Sequence, residues 1–407
     1  MKTGDADSAS HAQLTVVFIA RYYYPFIGGI EKQVPSQAAA LRRSGIRVAV
    51  VTGRFSNDFP RVERTHGVPV YRLPSPRIKI IGALVFLLHL IGFLYRRRTR
   101  YSALHVFQVG YCSAVAAVLG RLLNIPVFLH LAGSGRGGDI FRHLKTPWGW
   151  LFLALCRLAS NIVVLNPEML QELKAIFYSK QRAFFIPNAV DAAYYRPARD
   201  RAAVRQALAI PESRTVVLYT GRLAAEKGVG VLVRAFALTC PTIDTCLYLV
   251  GSGREYRRLK RQTHHLCLGD RVQFIPACSD VRQYYQCADI FVMPSLHEGM
   301  SNSVLEAMAC ALPVIATAVS GTTELLRDRH AGLLVPPREP KALAGALLTL
   351  LHDPAARAAM GYAGRSMVKD TYTDSHVLQG YLQMYESTGL SAAQQYRHGL
   401  SVPESAG

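Results

Sequence analysis

Short apolar runs alternate with longer stretches of helical periodicity along nearly the whole chain. Runs of roughly four to eight such residues, bounded by glycine, proline and polar clusters, read as buried strands, and the amphipathic stretches between them as covering helices. In the first half, residues 14–20, 47–52, 103–108, 126–131, 161–165 and 183–186 predict strands; in the second, 215–220, 246–250, 272–275, 289–293, 313–316 and 332–335 do so. Strands alternating with helices throughout predict parallel sheets. The charged, proline-bearing stretch 192–211 separates the two sets and reads as a hinge. The chain is therefore α/β, with domains 13–195 and 196–372, each holding its own sheet, and a cleft between them. Residues 1–12 and 391–407 read as loose tails.

Two strand-to-helix junctions carry candidate chemistry. The run Ile290-Phe-Val-Met293 leads through a loop, Pro294 to Gly299, into a helix that starts near Asn302 and is capped by Ser301 or Asn302. Glu298 then lies beyond the carboxyl end of a strand and Glu306 about one turn into the helix, at the edge where doubly wound sheets bind ligands. Two carboxylates beside a helix N-terminus suit a ligand with hydroxyls at both ends and a diphosphate between. The alternative is a solvated loop charge and a surface helix residue. At the other junction, the strand 215–220 runs into Gly221-Arg-Leu-Ala-Ala-Glu-Lys227-Gly228 and an apolar helix. Gly221 permits a sharp turn, Arg222 offers a fork for phosphate oxygens and Lys227 a point charge. Cations at a helix start oppose the helix dipole, and a bound anion would account for them.

The first half adds three candidates. The paired Gly28 and Gly29 follow the first strand and allow close approach of backbone N–H groups to a phosphate or sugar, or else form a mere tight turn. His130 ends the strand 126–131, ahead of a glycine-rich loop, 133–138, in which Arg136 is placed to gate an acceptor. A lone histidine at a strand end is more often structural than catalytic.

In order and spacing these segments, with Ile186-Pro-Asn-Ala-Val-Asp191, Val250-Gly-Ser-Gly253, Ala307-Met-Ala309 and Pro313-Val-Ile-Ala-Thr317, resemble the retaining glycosyltransferases of family 4, and the likeness covers nearly the whole chain. The resemblance implies the GT-B fold of two facing Rossmann-like domains, with a C-terminal helix in 373–390 crossing back to the first. It implies that Arg222 and Lys227 contact a donor diphosphate, Glu306 the ribose and Glu298 the sugar hydroxyls, with His130 near the reacting sugar. His130, Arg222, Lys227 and Glu298 are then the catalytic candidates. Gly28, Gly29, Gly221 and Gly251 join them as donor-binding backbone. So do Gly299, Met300, Ser301 and Asn302, whose loop would read hydroxyl stereochemistry. Ala189, Ala311, Ser320 and Leu131 stand where the family commonly has glycine, which is costly wherever the backbone needs a positive φ.

Charge changes the picture. A formal net charge of +20 over 407 residues calls for an acidic partner. No nucleic-acid recognition motif appears, so nucleic acid is not expected and a membrane surface fits better. The apolar stretch 78–95 precedes Arg96-Arg-Arg98-Thr-Arg100, and its uncharged part, 80–95, is shorter than the roughly 20 residues of a spanning helix. It reads as a helix packed on the first domain, as one lying in the bilayer interface beside a lipid-linked acceptor, or as a span. The eight cysteines form no C-x-x-C pair, and the first apolar run is too short for a secretory signal. These point to the cytoplasm, on the inner face of the cytoplasmic membrane. The only Asp-x-Asp, Asp5-Ala-Asp7, lies in the tail, and no P-loop or nucleophile elbow occurs. The expectation is retaining, metal-independent, cofactor-free glycosyl transfer from a UDP- or GDP-type nucleotide sugar to a lipid-linked glycan of surface-polysaccharide assembly. The alternatives are a GT-B sugar-nucleotide epimerase and an inactive GT-B scaffold.

Overall fold

Each predicted apolar run forms a strand of one of two sheets in the computed structural model, which describes residues 14–390 apart from 27, 177, 179–181, 240–243, 279 and 327–329. The first sheet comprises β1 (Thr15–Ile19), β2 (Arg47–Arg54), β3 (Val62–Thr65), β4 (Val68–Pro74), β5 (Ala103–Phe107), β6 (Val127–His130), β7 (Asn161–Val164) and β8 (Ala183–Phe185). Its order is β3-β4-β2-β1-β5-β6-β7-β8. The second comprises β9 (Thr215–Thr220), β10 (Thr245–Val250), β11 (Val272–Ile275), β12 (Ile290–Met293), β13 (Val314–Thr317) and β14 (Gly332–Val335), in the order β11-β10-β9-β12-β13-β14. All neighbours are parallel except β3 and β4. The two proposed tails lie outside the described residues.

The strand order reverses between β1 and β5 in the first sheet and between β9 and β12 in the second. At such points the loops leaving the two central strands part to opposite faces and open a crevice at the carboxyl edge. The Gly221–Lys227 segment and the Pro294–Asn302 segment leave β9 and β12, so the second crevice is lined by both candidate junctions.

The structure departs from the sequence pattern in two places. The β3–β4 hairpin was not expected, because Val-Glu-Arg-Thr is no apolar run and β4 alternates buried with half-buried positions. His66 and Gly67, both at positive φ, make the two-residue turn that joins them. The stretch expected to be a hinge carries a helix, Arg201–Ala207, capped by Asp200. Its Arg205 is buried and donates to Asp289 Oδ2 at 2.7 Å, just ahead of β12, so this part belongs to the second domain.

The helix Asp374–Glu386 lies on the first sheet, where Tyr381, Met384 and Tyr385 share a core with Val16, Phe18, Phe128 and Val163. Each buried side chain of this size stabilises by about 1.5–3 kcal/mol, so this late helix fastens firmly to the first domain. The apolar stretch forms one helix, Lys79–Arg96. Phe86, Leu90 and Leu94 are buried at four-residue spacing, while Ile80, Leu84 and Leu88 on another face are more than half exposed. No helix among the described residues is long and apolar enough to cross a membrane.

Candidate active site

The second crevice is built by close backbone contact. Gly228, at φ +64°, sits against the carbonyl of Pro294, where an added Cβ would fall 2.0 Å from that oxygen. Gly251, at φ +148°, crowds Gly221 O in the same way, at 1.9 Å. Ser301 Oγ accepts from Val304 N and caps the helix Asn302–Ala309, which fixes the orbit of Glu306.

Lys227 ends a short 3-10 turn, and its Nζ donates to both oxygens of Glu298, at 2.9 and 2.7 Å. The pair is largely buried. Arg222 approaches Glu226 Oε1 at 3.2 Å with its side chain 59% exposed, so its fork stays open to the cleft. Both cations thus have carboxylate partners within the chain, which the helix dipole alone did not foresee. Tyr219 donates its hydroxyl to Arg222 O at 2.8 Å and holds the turn in place.

Glu306 is only 4% exposed. Its Oε1 accepts from Lys32 Nζ at 2.7 Å and its Oε2 from the Tyr285 hydroxyl at 2.7 Å, while Thr220 Oγ1 lies 2.5 Å from the same hydroxyl. Burial and the charge of Glu306 push the Tyr285 phenol well up, so it remains a proton donor. Lys32 comes from the first domain, in the helix Gly29–Arg43, so this contact crosses the cleft.

The Gly299–Asn302 loop is gripped by the first domain. Asn166 Nδ2 donates to Gly299 O at 2.7 Å, Ser134 Oγ to Glu298 O at 2.9 Å, and Ser134 Oγ lies 2.7 Å from Ser320 Oγ. Asn302 Oδ1 accepts from Gln33 Nε2 at 2.9 Å and Asn188 Nδ2 at 2.8 Å, while its Nδ2 donates to Gly29 O at 3.1 Å. Met300 receives Asn188 N at its sulfur and Asn188 Nδ2 at its carbonyl. Gly28 is in extended backbone that any residue adopts, but a Cβ there would fall 2.2 Å from Glu31 Oε2; Gly29 has ordinary space, with Asn302 Nδ2 at 3.7 Å. Glu31, beside them, has its carboxyl pushed up by burial, opposed by the charge of Arg222 across the cleft.

His130 is placed differently. Its ring is buried against Phe107 and His105, with Nδ1 3.4 Å from the Tyr381 hydroxyl, and burial pushes the imidazole down to about 3. It is neutral at ordinary pH, and none of these partners is a donor-site group. Nearness to a reacting sugar is what the resemblance implies, not what these contacts record. The following loop does reach the cleft: a Cβ on Gly299 would fall 2.4 Å from Ala132 O. The side chain of Arg136 lies outside the described residues. Asp139 accepts from Ala132 N at 2.7 Å and Glu172 from Gly135 N at 2.5 Å, so two carboxylates hold this loop from behind. Burial pushes Glu172 up to about 7.

Lys32, Ser134, Asn166, Tyr285 and Gln33 were not among the residues expected at the site. Asn166 carried a local signal, an asparagine before Pro167 at a helix start, and its Oδ1 does accept from Met169 N. The others are defined only by partners far away in the chain. Of the four positions expected to strain without glycine, only Ala311 has positive φ, at 59°.

Comparison with known proteins follows the same division of the chain. Residues 28–189 match the family described as glycosyl transferase 4-like domain, and residues 200–367 that described as glycosyl transferases group 1. A D-inositol 3-phosphate glycosyltransferase of Kineococcus radiotolerans is 38% identical over 82% of this chain and 85% of its own. A GDP-mannose-dependent alpha-(1-6)-phosphatidylinositol monomannoside mannosyltransferase of Mycolicibacterium smegmatis is 29% identical over 68% of this chain and 75% of its own. Among solved structures, sucrose-phosphate synthase from Thermosynechococcus elongatus superposes with a TM-score of 0.79 at 25% identity, covering 92% of this chain and 99% of that one. HepE of Anabaena, solved with UDP and glucose, gives 0.77 at 20% identity over 92% and 100%.

Proposed function

This chain belongs to the group 1 glycosyltransferases, with the GT-B fold, and on that premise we propose that it moves a sugar, with retention, from a UDP- or GDP-type nucleotide sugar to a lipid-linked acceptor at a membrane surface. The observation that carries the reading is the arrangement of charges at the second crevice. Lys227 and Glu298 form one bidentate pair, Arg222 keeps an open fork, and Glu306 is buried with both oxygens aligned by donors. A leaving diphosphate would be held by Arg222 and Lys227, the ribose by Glu306, and the sugar hydroxyls by Glu298 and the Gly299–Asn302 backbone. Positive charge fixed in advance where the leaving group develops negative charge is usually the largest single contribution to transition-state stabilisation.

Glu298 has both oxygens committed to Lys227, which makes it a poor nucleophile, while each oxygen keeps a second lone pair that can accept from a sugar hydroxyl. Retention then follows if the acceptor hydroxyl enters on the face from which the diphosphate departs, with no covalent sugar–enzyme bond and no metal required. Gripping of the donor loop by Ser134, Asn166 and Asn188 suits a reaction between partners held by opposite domains.

The membrane part of the reading rests on the Lys79–Arg96 helix. Ile80, Leu84, Leu88 and Tyr95 form an exposed apolar stripe, and Arg96, Arg98 and Arg100 follow it. This helix packs on the helix Tyr111–Leu123, which in turn packs on the helix Gly149–Cys156. Trp148 and Trp150, the only tryptophans in the chain, stand at the start of the latter, 69% and 61% exposed. An exposed apolar stripe with flanking arginine suits the lipid headgroup boundary, as do exposed tryptophans, here two helices away. On this reading the protein works on the cytoplasmic side of the membrane.

The test is a thermal-shift titration with UDP, GDP and ADP on the wild type and on Glu306→Ala, since binding to the native state raises its melting point. Stabilisation by one nucleotide, weakened in the variant, supports the donor site. Absence of any shift in the wild type would sink it.

A further inference from the structure

The crevice of the first sheet, between β1 and β5, holds an arginine that has no acid beside it among the described residues. Arg21 follows β1, and its Nη1 donates to the hydroxyl oxygen of Tyr111, the first residue of the helix after β5. Its Nε and Nη2 both reach Ser75 Oγ, beyond β4, at 3.3 Å. The guanidinium carbon lies 5.6 Å from the ring centres of Tyr22 and Phe55 and 5.7 Å from that of Tyr111. Tyr22 and Phe55 are themselves stacked at 4.9 Å. Among the described residues no carboxylate lies within ion-pair distance of Arg21, whereas Arg72, the buried arginine of β4, pairs with Glu63.

A half-buried cation walled by aromatic rings loses hydration that neutral hydroxyls replace poorly. Its N–H groups are not all used, and Tyr111 has a proton to spare, because its oxygen accepts from Arg21. Burial pushes the Tyr111 phenol up, so that proton stays available for donation. Guanidinium and phenol together present donors suited to the oxygens of a phosphate ester. The flat pair Tyr22 and Phe55 beside them suits the apolar face of an adjoining sugar ring.

Position adds the rest. The first turn of the Lys79–Arg96 helix abuts this arginine: a Cβ on Gly82 would fall 3.4 Å from Arg21 Nη2. The exposed Ile80 and Ile81 therefore begin where the aromatic-walled crevice ends. A molecule whose phosphate joins a sugar to a hydrocarbon chain would put the sugar toward the cleft and the chain along the stripe.

We propose that Arg21 and Tyr111 form the acceptor's phosphate-binding site, at the crossover of the first sheet, and so select acceptors that carry a phosphate ester. This rests on the reading of the chain as a transferase with its acceptor on the first domain, and it names the group by which that acceptor is known.

The test fills the donor site with saturating nucleoside diphosphate and titrates two probes by calorimetry, inorganic phosphate and water-soluble dihexanoyl phosphatidic acid. Wild type, Arg21→Gln, Arg21→Lys and Tyr111→Phe are compared. Loss of a charge-assisted pair predicts that Arg21→Gln weakens the phosphate probe by roughly ten- to hundredfold, with partial recovery in Arg21→Lys and a smaller loss in Tyr111→Phe. Tighter binding of the phosphatidic acid, with the same Arg21 dependence, supports a lipid-linked phosphate; equal affinity for both probes supports the same site serving a soluble sugar phosphate. Binding unchanged by Arg21→Gln, or no binding to the wild type, overturns the proposal. Nucleotide-induced stabilisation, read in the same samples, must persist in Arg21→Gln; its absence from the wild type would count instead against the donor site.

Discussion

Asn166 offers the sharpest test of how the two domains are joined over the site. It is fully buried and works on two sides: Oδ1 caps the helix Pro167–Glu172, while Nδ2 donates to Gly299 O at 2.7 Å, in the donor loop, and to Ser134 Oγ at 3.3 Å. Asn166→Asp separates them. The carboxylate keeps the cap, which a negative charge at a helix start if anything strengthens, but it faces the buried Gly299 carbonyl with no proton to donate. An unsatisfied buried carbonyl costs about 1–3 kcal/mol, and the apposed charge adds to that, so a deficit of about 2–4 kcal/mol is expected at pH 8. The facing oxygen raises the folded-state pKa of the new carboxyl above its unfolded value. Its stability contribution is therefore present below the unfolded pKa, where the protonated group donates to Gly299 O, and is lost as pH rises through the folded one. Asn166→Ser, which keeps a cap but cannot span to Gly299, should show about 1–2 kcal/mol of loss with no such pH dependence. Urea unfolding at pH 8, 6 and 5 reads both, and nucleotide release on adding acceptor reads turnover, which should fall by about a hundredfold if the loop is misplaced by even an ångström. Asn166→Asp with the wild-type urea midpoint at pH 8 and wild-type turnover would refute the bridge.

Three further outcomes are expected. Lys227→Ala should lower turnover by at least about a hundredfold, as the loss of a charge-stabilising donor does, while circular dichroism and the melting point show a folded protein; equal activity would remove Lys227 from the leaving-group role. Glu172, pushed up to about 7 from an ordinary value near 4.5, has one carboxylate oxygen without a hydrogen-bond partner. Because its folded pKa is raised, its share of stability is present below the unfolded pKa and lost as pH rises through about 7. Glu172→Gln should therefore flatten the stability profile over that window and exceed the wild type by about 1–3 kcal/mol at pH 8, and a parallel, unshifted profile would show the carboxyl not to be so perturbed. Replacing Leu84 and Leu88 together by serine, on the exposed stripe, should weaken sedimentation with anionic phosphatidylglycerol vesicles by about tenfold or more without changing the nucleotide-induced melting shift; undiminished vesicle binding would move membrane contact elsewhere.

What the sequence made legible was what adjacent residues decide. The apolar runs of the parallel strands, the Ser301 cap and the positions of Glu298 and Glu306 relative to β12 all follow from local pattern, and the structure places them accordingly. The β3–β4 hairpin escaped because its strands are half-exposed and alternate, leaving only the His66-Gly67 turn as a mark. Lys227 was legible as a cation at a helix start, but its acid, Glu298, was not, since it is 71 residues away. Arg21 and Tyr111 gave no signal at all. The partners of Arg21 come from distant parts of the chain, Tyr111 among them at 90 residues' separation.

The Lys32–Glu306 contact shows why donor recognition and domain closure belong to one balance. Glu306 is nearly inaccessible, yet its Oε1 is taken by a lysine of the other domain whose own side chain is 41% exposed. In the proposed donor pose the ribose hydroxyls need that oxygen. They must displace Lys32 or share the carboxylate with it, and a carboxylate already aligned by Tyr285 has lone pairs enough for sharing only if the two donors approach from different sides. Displacement would open one tie across the cleft just as the donor arrives, leaving Asn166, Ser134, Asn188 and Gln33 to hold the loop. Sharing would instead make the first domain sense the donor through Glu306. The two arrangements differ in a single lysine amine, and they set opposite signs for the effect of Lys32 on nucleotide affinity: its removal tightens binding in the first and weakens it in the second.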